Sequence, residues 1–250
     1  MLLIIILRYF FIDHFALQKF WRFITSFFLF LMLVLASFEM YRCGQYLYHS
    51  IKTGNYQGYM WLLTGMAAFI FASKTLLRKN LDFMQTMTHE GAHLLIASLL
   101  LRRKIAEFNA KSTEHLQAGE NLGEVWTEGG SNIILALAPY MLPYITFLFV
   151  LIRMMIKNEY LPLFDFIIGF TFMHHVLCWK KDLHLNQSDL HASGIFRSFL
   201  YILTFIFFNS AIILYSLGGG TQTPVNIIQA NAKWFGTAWT DIQYVLSLIL

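Results

Sequence analysis

Charge is what this 250-residue chain has least of: Asp, Glu, Lys and Arg together make up 13% of it, about half the share in an ordinary soluble domain. With 57% hydrophobic residues and a mean hydropathy of +0.56, the composition argues against a water-soluble globule and excludes disorder. Cysteine is nearly absent. Cys43 and Cys178 cannot build a disulfide framework or a thiolate metal cluster, and Cys178 sits in an apolar run where a small buried hydrophobe is expected. A basic leader is also missing before the opening Met-Leu-Leu-Ile-Ile-Ile-Leu, and no small-residue cleavage site follows it, so no removable signal peptide is expected. The net charge of +4 does not point to nucleic acid, because the basic residues come as short clusters beside apolar runs, such as Lys74, Arg78 and Lys79 or Arg102, Arg103 and Lys104. Charges flank membrane spans in that way.

Apolar runs are what the chain does have. A crossing needs about 20 mostly apolar residues, and six runs come near that length: Phe23 to Phe38, Gln57 to Ala72, Leu81 to Leu101, Ile133 to Ile152, Leu161 to Trp179 and Ile195 to Leu217. The expected fold is therefore an all-α integral membrane bundle of about six transmembrane helices, forming a single polytopic domain over 1–250. Within it, 1–80 supplies N-terminal helices, 81–217 a catalytic core and 218–250 a C-terminal helix. Met1 to Ile12 is apolar but broken by Arg8, as an interfacial helix or part of a longer first hairpin would be. After Gly218-Gly219-Gly220 and Pro224, apolar residues from Val225 to Ile249 recur at helical spacing with polar residues between them. That pattern fits an amphipathic helix on the membrane or against the bundle.

One stretch breaks the pattern. Ala106, Phe108 and Ala110 alternate with Glu107, Asn109 and Lys111, and Val125-Trp126-Thr127 offers a second extended segment, so a small β-hairpin or sheet is expected after the third run. Dealing the basic residues out to alternate sides of six crossings gives nine against nine, and the positive-inside rule is then silent.

The third run carries Thr88-His89-Glu90-Gly91-Ala92-His93, an H-E-x-x-H motif. Residues four apart share a helix face, so His89 and His93 can offer two imidazole nitrogens to one metal ion. Glu90 beside them is placed to act as a general base toward a water that the metal acidifies. Ionisable groups inside a span are costly and persist mainly where they pair, bind or react.

A catalytic Zn2+ takes three protein ligands; the third must come from elsewhere in the chain, and candidates lie in His184-Leu185-Asn186-Gln187-Ser188-Asp189-Leu190-His191. His93 lies nine residues before Arg102, roughly 13 Å along the helix at 1.5 Å per residue. Two further crossings return the chain to that surface at Lys180, near Asp189. Ser188 could cap a helix there and put Asp189 in its first turn. Asp189 is the first choice, with His184 and His191 as alternatives, and a carboxylate merely favoured by a helix N-terminus is the bland reading. Adjacent His174 and His175 point about 100° apart, so both cannot easily face one site. His14, His49 and His115 carry no pattern, and Asn132 reads as a cap on the fourth run.

The HExxH helix, the polar strand segment after it, Gly129-Gly130-Ser131-Asn132 and the span with Leu135-Ala136-Leu137-Ala138-Pro139 together resemble the site-2 protease class of intramembrane zinc metalloproteases. The resemblance covers Leu81 to Phe196. It implies zinc bound by His89, His93 and Asp189, Glu90 as general base, a strand edge to which an unwound substrate adds, and a cytosolic position for the surface carrying Arg102. The class usually carries Leu-Asp-Gly, whereas this chain has Ser188-Asp189-Leu190-His191, with Gly194 farther on.

The leading expectation is a zinc metalloendopeptidase acting on membrane-spanning or membrane-associated polypeptides in the lipid bilayer, without nucleic acid, and with no reading of its oligomeric state. No inserted domain such as a PDZ module is evident, and a compact chain of this kind points to a prokaryotic plasma membrane. The alternatives are a di-iron desaturase or hydroxylase, for which Thr171 leaves the second histidine box incomplete, and a non-catalytic metal-binding membrane protein.

Overall fold

The computed structural model describes residues 2–110, 123–127, 132–185 and 187–218, together with positions 236, 240 and 243. His115, the Gly129-Gly130-Ser131 segment and nearly all of the expected C-terminal helix lie outside the described residues. The fold is mostly helical, with little strand. In chain order the elements are α1 (Leu2–Lys52), α2 (Gln57–Lys74), α3 (Leu81–Leu95), β1 (Ile105–Ala110), β2 (Gly123–Thr127), α4 (Ile133–Met141), α5 (Tyr144–Arg153), α6 (Leu161–Asp182), α7 (Ser188–Ser193) and α8 (Ile195–Gly218).

Three helices are long and apolar enough to cross a membrane, over 19–52, 158–182 and 195–217; a fourth crossing is added if α4 and α5, bent by 64°, form one broken span. The bend is written in the sequence. Leu142 precedes Pro143 and is driven into an extended conformation (φ −121°, ψ 101°), which ends α4. The carbonyl of Met141 then takes a hydrogen bond from the Asn209 amide of α8. Among the described residues, Leu2 to Ile12 forms no separate element but belongs to the 51-residue α1.

Side-chain neighbours fix the direction of each helix. Tyr46 of α1 packs against Tyr215 of α8, while Thr25 accepts a hydrogen bond from Arg197 at the other end, so these two helices run parallel. Gly58 lies against Asp165 and Leu217, and Phe69 against His174, so α2 and α6 run parallel. A Cβ at Gly65 would overlap the Phe166 carbonyl, and one at Gly169 the Leu62 carbonyl, so only glycine lets these backbones approach. Gly169→Ala is expected to cost about 1–3 kcal/mol through that overlap. Gly44→Ala, with nothing within 4 Å, is expected to gain up to about 1 kcal/mol from helix propensity. Thermal unfolding of the two variants in detergent checks the pair.

Near the end where α1 finishes, Arg153 of α5 is buried in an ion pair with Asp165 of α6 and donates to the Ser216 carbonyl of α8. The opposite end holds the start of α8, the end of α6 and α3. The sequence reading had Leu81 to Leu101 cross to the far end as the third of six spans. Instead Lys181, in the last turn of α6, pairs with Asp82 in the first turn of α3 at 3.1 Å. With 15 residues, α3 is about 22 Å long at 1.5 Å per residue, short of a hydrocarbon core of about 30 Å. The apolar run continues to Leu101, but the helix widens into a π turn at Ile96–Leu100 and the chain leaves it through Arg102 in the left-handed region (φ 49°).

This changes the balance of charge. Around α1, α2, α5, α6 and α8, Lys19, Arg22, Lys74, Arg78, Lys79, Lys180, Lys181 and Arg197 flank the end where α3 starts, eight residues, against Lys52, Arg153 and Lys157, three, at the other; Arg102, Arg103 and Lys104, which follow α3, are outside this tally. Two strands follow α3 and pair antiparallel, Ile105 opposite Thr127 and Ala110 opposite Gly123, with an irregularity between Ile105 and Glu107.

Candidate metal centre

At the α3 end, His89 and His93 project from one helix face toward Asp189 of α7. The Nε2 atoms lie 3.7 Å and 4.0 Å from the same oxygen, Asp189 Oδ2. One ligand atom from each of the three residues fits within 4.8 Å of the others, the one such group among the described residues. Ligand atoms on a tetrahedral zinc with bonds of about 2.0–2.1 Å stand roughly 3.3 Å apart, so the trio is slightly wider than a closed site. It can hold a metal ion. The side chains are 11%, 14% and 21% exposed, dry enough to strengthen electrostatics yet open to an approaching ligand.

Each imidazole is oriented from behind. His93 Nδ1 is 2.8 Å from the Leu135 carbonyl oxygen. That oxygen is free because the residue four positions on is Pro139, which has no N–H to donate. His89 Nδ1 is 3.1 Å from Asp182 Oδ2, the last residue of α6. When both Nδ1 atoms donate, both Nε2 lone pairs are left to face Asp189. Imidazole ligands held by a carbonyl or a carboxylate in this way are a recurrent feature of metal sites. Asp182→Asn is therefore expected to weaken zinc binding about 10- to 100-fold while leaving the stoichiometry at saturation unchanged; competition against a fluorescent chelator measures it.

Asp189 is held as firmly. Leu190 beside it is fully buried among Leu137, Tyr140 and Ile202, and its carbonyl accepts the Ser198 hydroxyl at 2.9 Å. Gly194, at φ 90° and ψ 132°, makes the turn from α7 into α8 that only glycine takes without strain. Ser188 is the first residue of α7, with Gln187 at the cap position, one residue earlier than the sequence suggested. Tyr140 places its hydroxyl 3.4 Å from Asp189 Oδ2 and its ring edge-on to His89. Burial pushes the Asp189 carboxyl upward, but the His89 and His93 imidazoles and the Tyr140 hydroxyl outweigh it and hold the group below its ordinary range.

The alternatives fall elsewhere. His184 is exposed, and His191, also exposed, lies 2.9 Å from the Leu185 carbonyl through Nε2. His174 is buried against Phe69, 3.7 Å from Cys178 Sγ, and His175 packs on Trp179. Neither belongs to the trio. Asn132 caps α4 by accepting the Ile134 N–H at 2.8 Å. Glu90 is 8% exposed in the middle of α3. Gly91 lies under the Tyr144 hydroxyl, where a Cβ would come within 2.6 Å. The chain matches no protein-family model, no curated protein and no solved structure.

Proposed function

We propose that this chain is a membrane-embedded zinc endopeptidase that hydrolyses membrane-spanning or membrane-associated polypeptides. The observation that carries the reading is the convergence of His89 Nε2, His93 Nε2 and an Asp189 carboxylate oxygen beside Glu90 of the same H-E-x-x-H helix. Two imidazoles and one carboxylate form a donor set that suits zinc with a position left for exchangeable water. The bound ion would supply Lewis acidity to that water and to a peptide carbonyl.

The chain's own residues do the rest. His89, His93 and Asp189 hold the ion, and Asp182 and the Leu135 carbonyl keep the two rings turned toward it. Glu90 accepts the proton of the attacking water and returns it to the leaving amine. The paired strands β1 and β2, next to α3, offer backbone groups to an unwound substrate segment.

In this reading α2 also crosses the membrane, shielded by its close contact with α6, and α3 enters the bundle from one end without crossing. The eight-to-three excess of basic residues around the other helices supports a cytosolic position for the end where α3 starts. A di-iron centre is disfavoured because the ligand group brings together His89, His93 and Asp189 without the paired histidines of α6.

The test compares membrane polypeptides in cells carrying the wild type and Glu90→Gln. A fragment made only with the wild type identifies a substrate. Identical profiles, with zinc bound in both, favour a non-catalytic metal-binding protein.

A further inference from the structure

Two buried polar atoms near the metal centre have no partner among the described residues: His175 Nε2 and Trp179 Nε1. The two rings pack at a centroid separation of 4.9 Å. Both residues line one small cavity, which they share with Thr88, His89, Tyr140 and Asp182. His175 is 4% exposed, so bulk solvent does not reach it.

Buried polar groups are nearly always satisfied by protein or by ordered water. A cavity holds a water when it has room for one and offers two to four polar partners. This one has room for about one, and it offers an indole donor, an imidazole nitrogen, the Thr88 hydroxyl and the Asp182 carboxylate. Pro139, Leu142 and Cys178 complete the lining with apolar surface.

We propose that this cavity is a binding site for a single resident water, hydrogen-bonded to Trp179 Nε1–H and His175 Nε2 and bordered by His89 of the metal-binding trio and by Asp182 behind it. Its existence does not depend on catalysis. Its use does rest on the hydrolase reading: a water stored one residue away from the centre replaces the one consumed in each peptide cleavage, where lipid and substrate keep bulk water out.

The test is nitrogen-15 NMR of indole-labelled full-length protein in detergent, with Trp179→Phe identifying one of the signals from the six tryptophans. A cross-peak between the Trp179 indole proton and water is expected, with a sign that reports a long-lived contact. It is expected equally in wild type and in Glu90→Gln, with or without zinc. Filling the cavity by Cys178→Leu is expected to abolish it and to shift the indole proton toward the unbonded position.

A wild-type indole proton with no water cross-peak overturns the proposal whatever the variants do. If Cys178→Leu does not fold, a density map at about 2 Å replaces it, and a dry cavity there is equally decisive. Because none of these readouts uses peptide cleavage, loss of the water site leaves the hydrolase reading standing. An inactive protein with the cross-peak intact would overturn only the hydrolase reading.

Discussion

Glu90→Gln is expected to lower peptide hydrolysis by about 10²- to 10⁴-fold, the usual worth of a positioned general base, while zinc stays at one per chain. Gln has the shape of Glu and keeps hydrogen-bonding capacity, so the helix face and the two flanking imidazoles need not move. It lacks only the basic oxygen that takes the proton of water. Because Glu90 is 8% exposed, little solvent base can substitute for it. The measurement pairs hydrolysis of a membrane peptide in zinc-loaded vesicles with metal analysis of the same preparation. Loss of activity with the zinc retained isolates the proton transfer. Loss of the zinc instead would make Glu90 a ligand, and undiminished hydrolysis would remove it from the mechanism.

The part of the site that was legible in the sequence is the part fixed by one helix. His89, Glu90 and His93 are related by the 3.6-residue repeat alone, so their spacing already implied a shared face. Asp189 required knowledge of how distant segments meet, and the sequence route to it was partly mistaken. That route put Lys180 at the Arg102 end of a crossing helix, whereas Lys181 pairs with Asp82 at the helix start. The destination survived because His89 is only seven residues past Asp82, about 10 Å along the helix at 1.5 Å per residue. His89 therefore sits beside both the last residue of α6 and the short α7 that follows.

Asp182 was missed for a plain reason: after Lys180 and Lys181 it reads as one more charge flanking a span. Only the fold brings it to His89 Nδ1. A stronger signal was available at Pro139. A proline inside an apolar helix frees the carbonyl four residues back, and a free carbonyl in a dry bundle needs a donor. The partner, His93, could not have been named from spacing. The charge balance shows the same limit. The even split of basic residues followed from counting α3 as a crossing, and the eight-to-three asymmetry emerged once its direction was known. Apolar length alone cannot tell a helix that crosses from one that ends in a π turn partway.

The largest effect expected on the metal centre separates the three trio members from their near neighbours in sequence. His89→Ala, His93→Ala and Asp189→Asn should each weaken zinc binding by more than the roughly 10- to 100-fold of a supporting-residue change. His184→Ala and His191→Ala should leave it unchanged. The argument is one of distance and direction. The trio's ligand atoms lie within 4.8 Å of one another, so removing any of them leaves two, too few to outcompete water for a zinc ion. His191 already lies 2.9 Å from the Leu185 carbonyl and cannot serve both without remaking that turn. Asp189→Asn is the most informative of the set. It preserves volume and the Leu190 anchor, so the fold should persist while the negative charge that two nearby imidazoles attract is gone. Zinc content after dialysis, alongside thermal unfolding of each variant, provides the readout. Zinc kept by Asp189→Asn and lost by His191→Ala would move the third ligand to the other end of α7 and undo the site as drawn.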